Sequence, residues 1–177
     1  MRYAALLRGV NLGGHNRVPM AGLRSAVEAL GYDDVATYLQ SGNVVFSTAS
    51  KPEATLARTL ERTIERTFRL DVTVLVRGAA QLARIQQDNP YLARRRDPTM
   101  LHVTFLADRP SATARRALPG GEGPDELTVH GREAYLWCPK GYGRTKLTNA
   151  WFERRLAVRA TTRNWRTVVT LGELTTT

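Results

Sequence analysis

Cysteine is almost absent from this 177-residue chain: Cys138 stands alone. No internal disulfide can form, and a lone thiol in a folded chain suits a reducing compartment better than an oxidising one. Long apolar runs are missing too. The stretch Met1-Arg2-Tyr3-Ala4-Ala5-Leu6-Leu7 ends at Arg8, too short for a secretory core or a bilayer crossing, and no later run reaches membrane-spanning length. A cytoplasmic protein with no membrane contact is expected. Histidine is scarce. His15, His102 and His130 fall in a loop, a strand and a turn, and none sits at short ligand spacing from Cys138 or a carboxylate. No metal site and no cofactor are expected.

Familiar catalytic frames are missing as well. Ser41 lies in Gln40-Ser41-Gly42-Asn43, which is not the G-x-S-x-G of a nucleophile elbow. Neither a G-x-G-x-x-G run nor a Gly-Lys-Ser/Thr phosphate loop occurs, which excludes dinucleotide-binding and P-loop sites. Asp33-Asp34 read as a solvated turn rather than an acid–base pair. Cys138 borders Pro139-Lys140, where positive charge can lower a thiol pKa. With no histidine near it in sequence, it reads as a small semi-buried hydrophobe. The chain declares no enzyme chemistry.

Acidic side chains are also in deficit, 16 against 26 basic ones, for a formal charge of +10. Only three of the basic residues are lysine, so 23 are the planar, fork-shaped arginine that suits phosphate and carboxylate. The excess is uneven: residues 1–88 are net +3 and residues 89–177 net +7. Between Lys140 and Arg166 there are eight basic residues and one acid, Glu153. Such a balance speaks to polyanion binding and solubility, not to fold.

What is present is an ordinary globular mix, 42% hydrophobic and 24% charged, enough to build a core without staples. Residues 3–7 read as a strand, 9–19 as a glycine- and asparagine-bearing loop, and 20–30 as a helix stopped by Gly31. Residues 34–39 and 43–47 read as a hairpin around Gln40–Gly42. Residues 52–68 follow as an amphipathic helix with Pro52 in its first turn, and Val72–Val76 as a β-branched strand. The order is β-α-β-β-α-β.

It recurs more weakly after a bridging helix at 79–87 and a break at Asn89-Pro90. The later elements are a strand at 100–106, a short helix at 111–118 and a hairpin at 126–129 and 133–138. A helix at 146–156, a short strand at 158–161 and a closing helix from Arg163 complete the order. The expected fold is therefore α+β, two ferredoxin-like (β-α-β-β-α-β) halves packed together. The halves are residues 1–78 and 100–177, with 79–99 as bridging helix and linker.

Two loops carry about half of the candidate site residues, and the rest flank them or lie in the Gln40–Asn43 and Arg163–Arg166 segments. Gly9-Val10-Asn11-Leu12-Gly13-Gly14 lies between a strand and a helix, the context of a backbone nest for an anion, and equally of a loop shaped for tight packing. Lys140-Gly141-Tyr142-Gly143-Arg144-Thr145-Lys146 combines three cations, a stacking ring and a threonine able to cap the next helix. Thr161 and Thr162 read as caps of the closing helix, with Arg163 and Arg166 on one face of its start. Trp151, Phe152 and Trp165 are expected in the core.

Five blocks in this order resemble a bacterial family catalogued as domain of unknown function 1697. They are Leu7–Gly14, Val18–Leu23, Thr37–Phe46, Gly143–Asn149 and Thr161–Trp165. The resemblance spans nearly the whole chain. It implies an α+β fold with two ferredoxin-like parts, and it brings no assigned activity, cofactor or catalytic residue. Position 15 departs from the family pattern, with His15 where Lys is usual, a weaker cation at neutral pH.

The candidate anion- or nucleic-acid-binding residues are Arg8, Asn11, Gly13, Gly14, Ser41, Asn43, Lys140, Tyr142, Arg144, Lys146, Arg163, Asn164 and Arg166. The function expected first is a nucleic-acid or phosphate-binding module, monomeric or weakly dimeric, with nucleic acid or a phosphorylated small molecule as partner. One alternative is a small enzyme acting on an anionic or nucleotide-like substrate through Arg8, Asn11, Ser41, Asn43 and Arg163. Another is a structural or partner-binding protein without a ligand.

Overall fold

A computed structural model describes residues 1–176. By their internal packing they form two compact units. One comprises Met1–Ala83 with the C-terminal segment from Leu171, the other Arg84–Thr170.

The first unit holds β1 (Arg2–Leu7), α1 (Met20–Glu28), β2 (Asp33–Tyr38), β3 (Asn43–Ser47), α2 (Glu53–Phe68) and β4 (Val74–Gly78). Its sheet runs β2-β3-β1-β4, and every neighbouring pair is antiparallel. Tyr3, Ala5 and Leu7 of β1, Val44 and Phe46 of β3 and Val74 and Val76 of β4 cluster with Leu23 and Val27 of α1 and Leu56, Leu60 and Ile64 of α2. The spacing of Leu56, Leu60 and Ile64 puts them on one stripe of α2, the face that closes this core. Ala4 and Leu6, at the alternate positions of β1, are buried as well. That is why β1 reads as a continuous apolar run rather than an alternation. The helix α2 stops at Arg69, whose φ of +57° is the left-handed cap that ends many helices.

The second unit holds α4 (Pro90–Ala93), β5 (Leu101–Leu106), α5 (Ala112–Arg116), β6 (Gly121–Glu122), β7 (Asp125–His130), β8 (Glu133–Trp137), α6 (Asn149–Leu156) and β9 (Ala160–Asn164). Its sheet runs β6-β7-β8-β5-β9, again antiparallel throughout. Trp151, Phe152 and Leu156 of α6 pack on Leu106, Leu127, Ala134, Leu136 and Ala160. The helices α3 (Ala79–Gln87) and α7 (Trp165–Thr176) carry the two unit boundaries.

Several local expectations need correction. Asn89-Pro90 does not only break a helix. Asn89 accepts the Tyr91 backbone N–H and Pro90 opens α4, where its fixed φ and missing N–H cost nothing. The helix expected over 146–156 begins at Asn149. Thr148, not Thr145, caps it by accepting from the Trp151 N–H. Thr161 and Thr162 are not caps but strand residues of β9. Asn164 takes that role, accepting the Thr167 N–H at 2.8 Å to start α7. β-branched threonines fit the pleated edge of a sheet, and asparagine caps well. Arg163 therefore lies in a strand, not on a helix face with Arg166. The two-residue strand β6 was not anticipated.

Candidate functional site

In the first unit the loop after β1 and the β2–β3 turn are laced together by one amide. Asn11 donates through Nδ2 to the carbonyls of Val18 (3.0 Å) and Gln40 (2.8 Å), and its Oδ1 accepts the Val18 N–H (2.9 Å). Leu12 and His15 bridge a reverse turn whose central residues, Gly13 and Gly14, have φ of +56° and +82°. Both angles are cheap only for glycine. Asn43 is fully buried and donates to the Tyr38 carbonyl and to Ser41 Oγ. The Arg8 N–H bonds the Thr73 carbonyl. The structure thus gathers Arg8, Asn11, Gly13, Gly14, Ser41 and Asn43 at one end of this sheet. The Asn11 amide is bonded to backbone groups of Val18 and Gln40, and that of Asn43 to the Tyr38 carbonyl and the Ser41 hydroxyl.

In the second unit the antiparallel register of β5 and β9 sets His102 opposite Asn164 and Thr104 opposite Thr162. Directly paired residues share a sheet face. On that face the Tyr142 ring stacks on His102, centroids 4.7 Å apart and planes 25° from parallel. Thr162 donates to Asn149 Oδ1 at 2.8 Å, and the Thr104 hydroxyl lies 2.8 Å from that of Thr162. Burial pulls the His102 imidazole below its ordinary pKa, partly offset by a hydrogen bond to the Met100 backbone, so it is neutral at pH 7. Burial raises the Tyr142 phenol, with Thr162 and the Arg163 cation acting the other way.

Arg163 is only 7% exposed. It donates through Nη1 to Thr161 Oγ1 and to the Thr162 carbonyl, both at 2.9 Å. Burial brings its pKa down to about 10, still a cation at neutral pH. A guanidinium buried this deeply is held by hydrogen bonds and is not poised on the surface. Thr145 donates to Asp125 at 2.5 Å and accepts the Leu147 N–H, which pins the loop. Cys138 is buried, and desolvation pushes its thiol up to about 11, leaving it unreactive. Lys140, Arg144, Lys146, Asn164 and Arg166 are exposed. Among the described residues no three His, Cys, Asp or Glu side chains are grouped to hold a metal, and no helix is long and apolar enough to cross a membrane.

Sequence reasoning missed His102 as the partner of Tyr142. The signal was present in β5: His102 and Thr104 are polar residues two apart on an otherwise apolar strand, hence on one face.

A family model described as a protein of unknown function, DUF1697, matches residues 1–135. The chain belongs to that family. The DUF1697 match contains the Leu7–Gly14 and Thr37–Phe46 blocks and ends before the Gly143–Asn149 and Thr161–Trp165 blocks. Among solved structures, the conserved bacterial protein SP0830 from Streptococcus pneumoniae is similar over 98% of each chain, with a TM-score of 0.77 and 24% identity. At that identity the likeness concerns the fold. No curated protein matches the chain.

Proposed function

We infer that this DUF1697 protein is a nucleic-acid or phosphate-binding module. The observation that carries it is the setting of the cationic loop in the second unit. Lys140, Arg144 and Lys146 are exposed on a segment that Tyr142 fastens to His102 and Thr145 fastens to Asp125. Arg166 is exposed two residues after Asn164, which the sheet register sets opposite His102. The one acid of this stretch, Glu153, accepts the Ala160 N–H and so is tied to the backbone. Cations on a pinned loop lose less entropy on meeting an anion than cations on a mobile one. The partner is a nucleic acid or a phosphorylated small molecule, met in the cytoplasm by a monomer or weak dimer.

The halves at 1–78 and 100–177, joined by 79–99, are ferredoxin-like units. The element orders β-α-β-β-α-β and the strand orders β2-β3-β1-β4 and β7-β8-β5-β9 support that assignment. β6 is an addition at one edge.

The test is fluorescence anisotropy with a labelled single-stranded oligonucleotide at low and moderate salt. Binding should fall steeply as salt rises, because counterion release dominates. Replacing Lys140, Arg144 and Lys146 together by Ala should weaken every sequence alike and flatten that slope. Absence of oligonucleotide binding at low salt ends the nucleic-acid reading.

A further inference from the structure

Tyr142 has one ring face on His102, and the first unit's loop amides bond groups within their own loops. Another candidate base-stacking surface lies elsewhere. The second unit holds a cavity of about 270 Å³ lined by Pro98, Thr99, Asn164, Trp165 and Arg166. Pockets for drug-sized ligands run to roughly 300–1,000 Å³, so this one suits a single ring system. Its apolar walls come from Trp165, 7% exposed, and Pro98. Its polar groups are spaced around those walls. Asn164 uses Oδ1 to cap α7, which leaves its Nδ2 hydrogens to donate. Thr99 Oγ1 donates to Asp97 at 2.7 Å and keeps lone pairs to accept. The Thr99 hydroxyl and N–H both bond the Asp97 carboxylate, which holds its pKa below the ordinary value and fixes Thr99 at the cavity wall. Arg166 supplies the one cation among the lining residues.

We propose that this cavity is a nucleobase subsite. A single unstacked base of a nucleotide or nucleic-acid strand enters against Trp165 and Pro98, and its phosphate lies on Arg166. This rests on the polyanion reading above and deepens it by naming what is recognised besides charge. A hydrogen-bonding, flat, weakly polar ring carrying a phosphate matches all five lining residues. A bare phosphate leaves the Trp165 and Pro98 walls unused. A purely apolar ligand leaves Arg166, Asn164 and Thr99 lining the cavity without purpose. Arg166, the one cation among the lining residues, orients the ligand with its phosphate toward that side chain.

The experiment is a pair of titrations on the full chain. Adenosine monophosphate, with adenosine as its uncharged counterpart, is followed by tryptophan emission, and a labelled oligo-deoxyadenosine by anisotropy. Wild type is compared with Thr99→Phe, Trp165→Phe, Arg166→Ala and the Lys140/Arg144/Lys146→Ala triple variant. Thr99 is exposed, so Thr99→Phe fills the mouth without entering the core, and thermal melting checks that it folds. Adenosine monophosphate should quench wild-type emission, and Trp165→Phe should remove the quenched component. Thr99→Phe should weaken both ligands by roughly five- to 150-fold, the worth of one stacked base. Arg166→Ala should weaken the nucleotide but not adenosine. Oligonucleotide binding that the triple variant weakens and Thr99→Phe leaves unchanged overturns the subsite and keeps the polyanion module. Mononucleotide binding blocked by Thr99→Phe, with no oligonucleotide binding, keeps the subsite and overturns the strand-binding module. No response to either ligand overturns both.

Discussion

His102 and Tyr142 lie ring on ring, 4.7 Å between centroids, and the contact joins a buried strand to an otherwise exposed loop. It has a cost that depends on pH. The imidazole is 8% exposed, and burial lowers its pKa from 6.5. The unfolded chain therefore binds a proton more readily than the folded one. The associated stability is fully present above pH 6.5 and is lost as pH falls through the folded-state value. Thermal melting of wild type should drop between pH 7.5 and 5.5. His102→Phe, which keeps a ring against Tyr142, should lose part of that drop. Equal pH dependence in the two proteins would remove His102 as the cause.

Gly42, in the β2–β3 turn, should be less replaceable than Gly14 of the loop after β1. Its φ is +80°, and an added Cβ would collide with the Val10 side chain and lie 2.9 Å from Leu7 Cβ. Gly42→Ala should cost about 2–4 kcal/mol from backbone strain and overpacking together. Gly14, at φ +82°, has nothing within 4 Å of where an added methyl would sit, so the same change there should cost about 1–2 kcal/mol. Urea denaturation of the two variants checks the ranking.

Asn11 is a second test of structure against ligand binding in the first unit. It makes three hydrogen bonds to backbone groups of Val18 and Gln40. Asn11→Ala should destabilise by about 2–3 kcal/mol, near 1 kcal/mol per bond. Asn11→Asp should be at least as harmful, since a carboxylate would face two carbonyl oxygens. Chemical denaturation at neutral pH reads both. Variants as stable as wild type that lose ligand binding would make Asn11 a binding residue instead.

Arg163 and the exposed cations should separate cleanly. Arg163→Ala removes a buried guanidinium and its bonds to Thr161 and the Thr162 carbonyl. A stability loss of about 2–4 kcal/mol is expected. Lys140→Ala, Arg144→Ala and Lys146→Ala, on exposed side chains, should leave the melting temperature within a degree or two and act on the salt dependence of binding. Melting curves beside oligonucleotide titrations make the comparison.

Cys138 should resist modification. The thiol is buried and its pKa is raised to about 11, so little thiolate exists at pH 8. Labelling by a thiol-specific chromogenic disulfide should be slow in the folded protein and fast in guanidinium. Rapid labelling of the native protein would contradict that burial.

Much of this protein was legible in its sequence. The apolar run of β1, the Leu56-Leu60-Ile64 stripe of α2 and the β-branched residues of β4 announce their elements, because the periods of strand and helix are local properties of the backbone. The cationic segment from Lys140 to Arg166 and the lone cysteine were equally plain. What only the tertiary structure decided is which polar groups are spent and which remain. Asn11 is spent on Gln40, 29 residues away; Tyr142 on His102, 40 residues away; Arg163 on its own strand, beneath the surface. The cavity between Thr99 and Trp165 joins residues 66 apart. Hydrogen bonds, stacking and burial depend on distance in space, and sheet pairing brings those distances about through contacts that no local pattern encodes.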